Sequence, residues 1–255
     1  MATLDRSDAL FRYLLRLGDT ALVLGHRLSE WCGHGPVLEE DIALANVALD
    51  LTGQANELLT YAAEVEGRGR DADALAFLRD GFDFRNLLLA EQPNGDFGRT
   101  MVRQLLFDAH DLELQAALQG STDSRLAAIA GKAVKEAAYH FKHSADWVIR
   151  LGDGTDESHA RVAAALDALW PYTGEMFQSD DAHAALQAAG IAPDLQALRL
   201  RWRARIDAVL AEATLAAPAE GWMQAGGIAG RHSEHLGHLL ATMQFLQRAY
   251  PGARW

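Results

Sequence analysis

The stretch EEDIALANVALDLTGQANELLTYAAEVE, residues 39–66, carries the pattern that decides the fold. At about 100° per residue, its apolar residues form one continuous stripe, as in a helix packed on a core. The stripe consists of Leu44, Val47, Leu51, Ala55, Leu58, Ala62 and Val65. Asp50 and Glu57 lie roughly 90° to one side of it, while Ile42 and Leu49 lie on its far side. A helix that is apolar around most of its girth is typical of the inside of a bundle, so we predict neighbours on several of its faces.

Helical periodicity of the same kind continues along the rest of the chain. We predict helices at 6–31, 39–66, 72–91, 97–119, 123–151, 155–178, 193–216 and 231–249. Turn-forming residues separate them, for example Pro93 with the Asn94-Gly95 pair. No β-branched alternating run is long enough for a strand. The sequence therefore predicts an all-α protein, with a single helical domain over residues 1–255.

Composition and charge narrow the classes of function. The 255 residues carry a formal net charge of −12, which disfavours binding to nucleic acid and to anionic membrane surfaces. The single cysteine excludes an intrachain disulfide and a cysteine metal cluster. Charges recur through residues 1–19, unlike a signal peptide, and no uncharged apolar run has the roughly 20 residues of a membrane span. We expect a cytoplasmic protein.

A second stretch, KEAAYHFKHSADW at 135–147, raises the question of a metal site. Glu136, His140 and His143 form a line on the flank of the apolar stripe of this helix. A di-iron carboxylate bundle uses one Glu from each of two helices and a Glu-x-x-His pair from each of two others, all pointing inward. Carboxylate and imidazole ligands of this kind suit iron.

The ligand pattern is incomplete in this chain. Glu136 is followed three residues later by Tyr139 instead of histidine, and Asp50 is followed by Gly53. Helix 97–119 offers Asp108, which is one methylene shorter than glutamate, and helix 6–31 offers Asp19, His26 and Glu30 without a convincing partner. Because both expected histidines are missing, a vacant site is favoured over an active di-iron centre.

Other readings of the polar residues remain open. A mononuclear metal site could use Glu136 and His140, with ligands from other helices. The C-terminal run GRHSEHLGHLL (230–240) places His232, His235 and His238 at intervals of three, which suits a metal less well than hydrogen bonding at the start of a helix. Four arginines alternate along helix 193–216 and predict either a solvated face or a grip on an acidic partner; they are Arg199, Arg201, Arg203 and Arg205.

Several motifs resemble one family. They include QPNGDF (92–97), YHFKHSADWVIRLGDG (139–154), LWPYTGEMF (169–177) and the ending at 221–255. In order and over nearly the whole chain, they resemble the non-catalytic, ferritin-like C subunits of bacterial phenylacetyl-CoA epoxygenases. The resemblance implies a ferritin-like helical bundle with additional helices. It also implies a subunit of a multicomponent monooxygenase that converts phenylacetyl-CoA to its 1,2-epoxide in aerobic phenylacetate catabolism.

The resemblance further implies the partners and cofactors. A homologous catalytic subunit would hold the di-iron centre and bind most of the CoA thioester, beside an accessory small subunit and a reductase using NADPH, flavin and an iron–sulfur centre. This chain would hold no cofactor and no catalytic residue. Its vestigial metal positions, matched to the catalytic homologue, would be Asp50, Gly53, Asp108, Glu136 and Tyr139.

The structural role leads to a hypothesis about the polar residues. Asp50, Glu136 and His140 would form a buried network that replaces the ions and holds four helices in register. The alternative from another class is a ferritin-like di-iron oxidase or oxygenase with its own active centre. A third reading is a homodimeric helical adaptor unrelated to oxygenases.

Overall fold

The computed structural model describes residues 5–219 and 221–253. Within these ranges the chain forms eleven α-helices and short 3-10 turns, and no β-strand. The α-helices are α1 (Arg6–Ser29), α2 (Leu38–Glu66), α3 (Ala72–Phe77), α4 (Leu88–Glu91), α5 (Phe97–Leu118), α6 (Ser124–Gly152), α7 (Asp156–Leu169), α8 (Asp181–Ala188), α9 (Leu195–Glu212), α10 (Glu234–Met243) and α11 (Phe245–Ala249). The predicted all-α, ferritin-like fold class is confirmed.

Contacts divide the chain into two compact units. The first comprises the residues up to Pro93, Asp180–Leu186 and the residues from Gly226 onward. The second comprises Asn94–Ser179 and Gln187–Ala225. The single domain over residues 1–255 stays a prediction. Among the described residues, no helix combines the length and the apolar character needed to cross a membrane.

In the first unit, α1 and α2 are joined by a short loop and pack antiparallel over much of their length. Glycines on α1 allow this close approach. A Cβ at Gly18 would lie 2.9 Å from Cδ2 of Leu59, and one at Gly25 would lie 3.1 Å from the carbonyl oxygen of Ala48. The stripe of α2 that faces α1 is buried, with Leu44, Leu51 and Leu58 each 1% exposed. Burying each such leucine contributes roughly 1.5–3 kcal/mol.

The far side of α2 contradicts the expectation of neighbours on several faces. Ile42 is 52% exposed and Leu49 is 69% exposed. That expectation is therefore wrong for the described chain, because α1 and α3 cover only one side of the helix. Asp50 and Glu57 lie between the buried and exposed sides, as their offset from the stripe predicts.

In the second unit, α5 packs against α6, α7 and α9. Side-chain oxygens cap the helix starts. Asp96 accepts a hydrogen bond from the Arg99 amide at 2.8 Å, and Asp123 accepts one from the Leu126 amide at 3.0 Å. Such caps supply partners for amides that have none within the helix, and each typically contributes about 1 kcal/mol. Because these signals are local, the predicted helices 97–119 and 123–151 match α5 and α6 closely.

Four predicted helices are wrong in part. The segment 72–91 is interrupted after Phe77, because residues 78–87 wrap around a buried carboxylate described below. The segment 155–178 ends its α-helix at Leu169, before Pro171 and two 3-10 turns. The segment 193–216 ends at Glu212. The segment 231–249 begins at Glu234 and is split at Gln244, and α8 was not predicted at all.

Candidate functional site

Helix α5 carries the buried carboxyl group that fits the predicted metal positions best. Asp108 is 2% exposed, and the Gln104 amide nitrogen donates to its Oδ1 at 3.4 Å. Burial raises the pKa of Asp108 well above its ordinary value, and Asp111 adds to the rise. A hydrogen bond with Ser144 and the charge of Arg103 act in the opposite direction. Compared with an exposed aspartate, the neutral form of this side chain is therefore favoured.

This environment predicts a pH dependence for Asp108→Asn. Because the folded-state pKa lies above the unfolded value, the favourable contribution of Asp108 is complete below about pH 4 and is lost as the pH rises through the folded pKa. Asparagine keeps the shape and cannot ionise. The stability of the wild type relative to the variant should therefore fall as the pH rises above about 4 toward the folded-state pKa, as measured by denaturant unfolding at several pH values. A constant difference over that range would contradict the assignment.

The other predicted residues of the second unit lie on α6. Glu136 is half-buried, Tyr139 is 53% exposed and His140 is 4% exposed. The ring of Tyr139 stacks with that of His143, with a centroid separation of 6.2 Å. The residue that stands in place of the expected ligand histidine is therefore a surface residue.

The remaining predicted positions lie on α2, in the first unit. Asp50 is half-buried and Gly53 is exposed. Of the five predicted vestigial positions, only Asp108 is buried. The network of Asp50, Glu136 and His140 stays a prediction, because Asp50 belongs to one compact unit and the other two to the other.

The residues present do not fit a di-iron carboxylate centre. Such a centre needs carboxylate and imidazole ligands converging on one interior point. The two positions where histidine is expected, Gly53 and Tyr139, are exposed. Within residues 5–219 and 221–253, no three His, Cys, Asp or Glu side chains are grouped to hold a metal ion. No chemical step is therefore assigned to a metal in this chain.

A buried ion pair, which the sequence did not predict, lies in the first unit. Asp19 on α1 is fully buried, and the guanidinium of Arg79 binds both of its carboxylate oxygens. The Arg85 amide also donates to Asp19, at 2.8 Å, and the Arg79 guanidinium lies 4.4 Å from the ring centroid of Phe84. A guanidinium thus neutralises the carboxylate in the bundle interior. No sequence signal links Asp19 to an arginine 60 positions later.

A second buried cluster surrounds Glu91 in the same unit. The Glu91 carboxylate is fully buried and accepts hydrogen bonds from the Asn86 amide at 3.1 Å and the Ser233 backbone amide at 2.8 Å. Nδ1 of His232 lies 2.9 Å from Oε2 of Glu91, and Nε2 lies 3.0 Å from the carbonyl oxygen of Phe84. Both ring nitrogens of His232 therefore lie within hydrogen-bond distance of acceptor oxygens of its own chain.

This cluster bears on the predicted histidine site at the C-terminus. His232 uses both ring nitrogens within the chain, His235 is half-buried and His238 is exposed. The carbonyl oxygen of His235 accepts from Arg27 at 3.0 Å. The three histidines therefore do not converge, and the reading that they serve hydrogen bonding at the start of a helix agrees with the geometry of His232.

The alternating arginines of α9 bind carboxylates of their own unit. Arg201 and Arg205 both pair with Glu113 on α5. Although burial acts to raise the pKa of Glu113, the two guanidinium partners outweigh it and the pKa is lowered. Arg203 pairs with Asp207 at 2.8 Å along the same helix. Part of this side of α9 is thus an internal ion-pair network.

The fold and these buried pairs define an all-α, ferritin-like protein in which the buried carboxylates of Asp19 and Glu91 are bound by donors of the same chain. Residues 1–255 match the family described as phenylacetic acid catabolic protein. The chain belongs to this family. It is also 52% identical over 248 residues to the C subunit of 1,2-phenylacetyl-CoA epoxidase from Escherichia coli (strain K12), covering 97% of this chain and 100% of that protein. The resemblance stated from the motifs is confirmed.

Proposed function

We propose that this chain is a structural subunit of a multicomponent phenylacetyl-CoA 1,2-epoxidase, in which it binds and supports a homologous catalytic di-iron subunit in the cytoplasm. The observation that carries the proposal is the 52% identity to an epoxidase C subunit along the full length of that protein. At this identity, without large unmatched segments, the two chains are expected to share their role in assembly.

The buried carboxylates support a non-catalytic role. Iron ligands must present carboxylate oxygens to the ion. In this chain, the oxygens of Asp19 are bound by Arg79, and those of Glu91 by Asn86, His232 and a backbone amide. Removing one partner of such a buried pair is costly, so these side chains are poorly suited to being recruited by a metal.

The proposed partners follow from the epoxidase assignment. The catalytic subunit would hold the di-iron centre and most of the CoA thioester. The reductase would deliver electrons from NADPH through flavin and an iron–sulfur centre, and a small accessory subunit would complete the complex. A like-folded bundle would hold the iron-bearing helices of the catalytic subunit in position, since small misplacements of reacting groups are costly in rate.

The test is co-expression of this chain with the catalytic subunit of the same operon, followed by separation of the chains and metal analysis of each. We expect a stable heteromer, with iron in the catalytic chain and near-zero iron in this one. Two irons per chain in this protein expressed alone would instead establish the alternative, an oxidase with its own centre. Failure to form the heteromer would favour the adaptor reading.

Substitution of Glu136 separates a structural from a metal-binding role. Glu136→Ala should lower the stability of the fold or of the complex by about 1 kcal/mol, because a half-buried polar group loses its interactions. The iron content of this chain should not change. The matched control is the exposed neighbour Lys135→Ala, which should change stability by less than about 0.5 kcal/mol. Iron lost from the isolated protein on the Glu136 substitution alone would contradict the structural role.

A further inference from the structure

The side of α2 that faces away from α1 is an exposed apolar stripe. We call Leu38, Ile42, Leu49, Gly53 and Asn56 the outer stripe of α2. At about 100° per residue, they fall within roughly 60° of one another and opposite the buried stripe. The aliphatic members are 72%, 52% and 69% exposed in chain order, and Val37, just before the helix, is 51% exposed. Large aliphatic side chains clustered in this way mark an interaction surface.

Gly53 adds a second observation on the same stripe. It lies in the middle of the 29-residue α2, and a Cβ built there would meet no heavy atom within 4 Å. Glycine inside a helix costs roughly 1 kcal/mol relative to alanine. No contact of the described chain explains that cost. A glycine on an exposed stripe does allow the backbone of another helix to approach closely.

The stripe continues into a hollow that can receive side chains. Toward the C-terminal end of α2, a groove of about 510 Å³ lies beside the stripe. Asn56, Thr60 and Ala63 of α2 form one wall, and the loop with Gly69 and Arg70 lies across from them. The outer stripe thus forms a ridge and the groove beyond it a hollow. Such a surface is complementary to a second helix that presents small residues to the ridge and large residues to the hollow.

The negative charge of α2 indicates which kind of protein could bind the outer stripe. The helix contains seven acidic residues and no lysine or arginine; the acidic residues are Glu39, Glu40, Asp41, Asp50, Glu57, Glu64 and Glu66, of which Glu66 is paired with Arg70 of the following loop. A second copy of the chain packed through the same face would bring an equal set of negative charges alongside, which is unfavourable. An occupant with basic residues at its edges gains from the same field. The charge pattern therefore favours a different protein over self-association.

We propose that the outer stripe of α2 is the docking surface for a helix of the catalytic subunit, whose facing side is apolar and edged by lysine and arginine. The inference rests on the proposed function, because it places the partner that the function requires. It also accounts for the far side of α2 being apolar in sequence yet exposed in this chain. The partner helix supplies the neighbour that the sequence pattern predicts.

The first test is Leu49→Asp, with affinity for the purified catalytic subunit measured by titration calorimetry. A buried charge at the centre of the interface should weaken binding by about 30-fold or more. The matched control is Leu200→Asp on α9, which is 74% exposed but lies in the other unit, and it should bind within about 3-fold of the wild type. Both variants should keep the circular dichroism and thermal unfolding of the wild type, because both positions are exposed.

The second test uses Gly53→Gln, for which folding and association should move in opposite directions. The variant chain should unfold at a higher temperature, because glutamine is a better helix former and its Cβ would meet no heavy atom within 4 Å. Its affinity for the catalytic subunit should fall, because the partner helix is held away. The control is Gly131→Gln on α6, a mid-helix glycine that also has no heavy atom within 4 Å, for which only the stabilisation is expected.

The outcomes distinguish this inference from the proposed function. If the wild type binds the catalytic subunit and Leu49→Asp binds equally well, the docking surface is wrong while the proposed function stands. If the wild type does not bind, the proposed function fails. If Leu49→Asp converts a dimer of this chain into a monomer and leaves binding of the catalytic subunit intact, the occupant is a second copy and the inference is overturned.

Discussion

Replacing Asp19 by alanine is expected to lower the free energy of unfolding by about 3–5 kcal/mol. Asp19 is fully buried and Arg79 is 4% exposed, so the substitution leaves a guanidinium in the interior without its counter-ion. It also removes the acceptor of the Arg85 amide, and a buried donor without a partner adds to the cost. Equilibrium unfolding in urea measures the effect directly.

Two further variants make the Asp19 result specific. The control is Asp146→Ala, which breaks an exposed pair with Lys142 and should cost less than about 1 kcal/mol. Combining Asp19→Leu with Arg79→Met should recover much of the lost stability, because apolar residues of similar volume often replace a buried pair at little cost. A loss for Asp19→Ala no larger than that of the control would mean that the pair does not hold this unit together.

Replacing Glu91 by alanine is expected to destabilise the protein by about 2–4 kcal/mol, since hydrogen bonds to a buried charged group are among the strongest. The variant leaves the Asn86 amide, the His232 ring and the Ser233 amide without their acceptor. Two of these three donors belong to the segment that leads into α10. We therefore expect the Glu91→Ala substitution to increase the rate of amide hydrogen exchange more in α10 than in α5, as measured by mass spectrometry.

The matched control for Glu91 is Glu234→Ala, an exposed glutamate at the start of α10, which should change stability by less than about 0.5 kcal/mol. Glu91→Gln keeps the shape and one acceptor but removes the charge facing His232, and its effect should be intermediate. Uniform changes in exchange over α5 and α10 in Glu91→Ala would show that this cluster does not anchor the C-terminal segment in particular.

The long helices were predictable because their signals are local. The predictions for α1, α2, α5 and α6 agree with the structure within two residues at each end. Apolar periodicity sets the interior of such a helix, and capping side chains such as Asp96 and Asp123 set its start. These contacts join residues two to four positions apart, which a sequence pattern reports directly.

The predictions of the short helices were wrong because the contacts that set their ends join residues far apart in the chain. The break after Phe77 allows the Arg79 side chain and the Arg85 amide to donate hydrogen bonds to the Asp19 carboxylate, which lies about 60 positions earlier in the chain. The split of the C-terminal helix at Gln244 lets its side chain donate to the carbonyl oxygens of Ala76 and Arg79, both at 3.0 Å. Partners so distant in the chain leave no trace in local periodicity, so tertiary bonds override the helical pattern.

At the candidate metal positions, too, the sequence showed which residues are present and only the structure showed whether they are buried. The sequence shows glycine at 53 and tyrosine at 139, and that these are ligand positions without histidine stays a prediction. It did not identify their exposure. When a helix is apolar around most of its girth, as α2 is, the pattern does not say which face meets the rest of the chain. Only the packing of α1 against one face of α2 showed that Ile42 and Leu49 remain exposed.

The sequence by itself therefore determined the all-α class, the extents of the four long helices and the family. The tertiary structure alone decided which carboxylates are buried, which side chains and amides bind them, and which apolar stripe is exposed. The physical reason is that helix formation depends on neighbours within one or two turns. Burial and ion pairing instead depend on side chains brought together from distant parts of the chain.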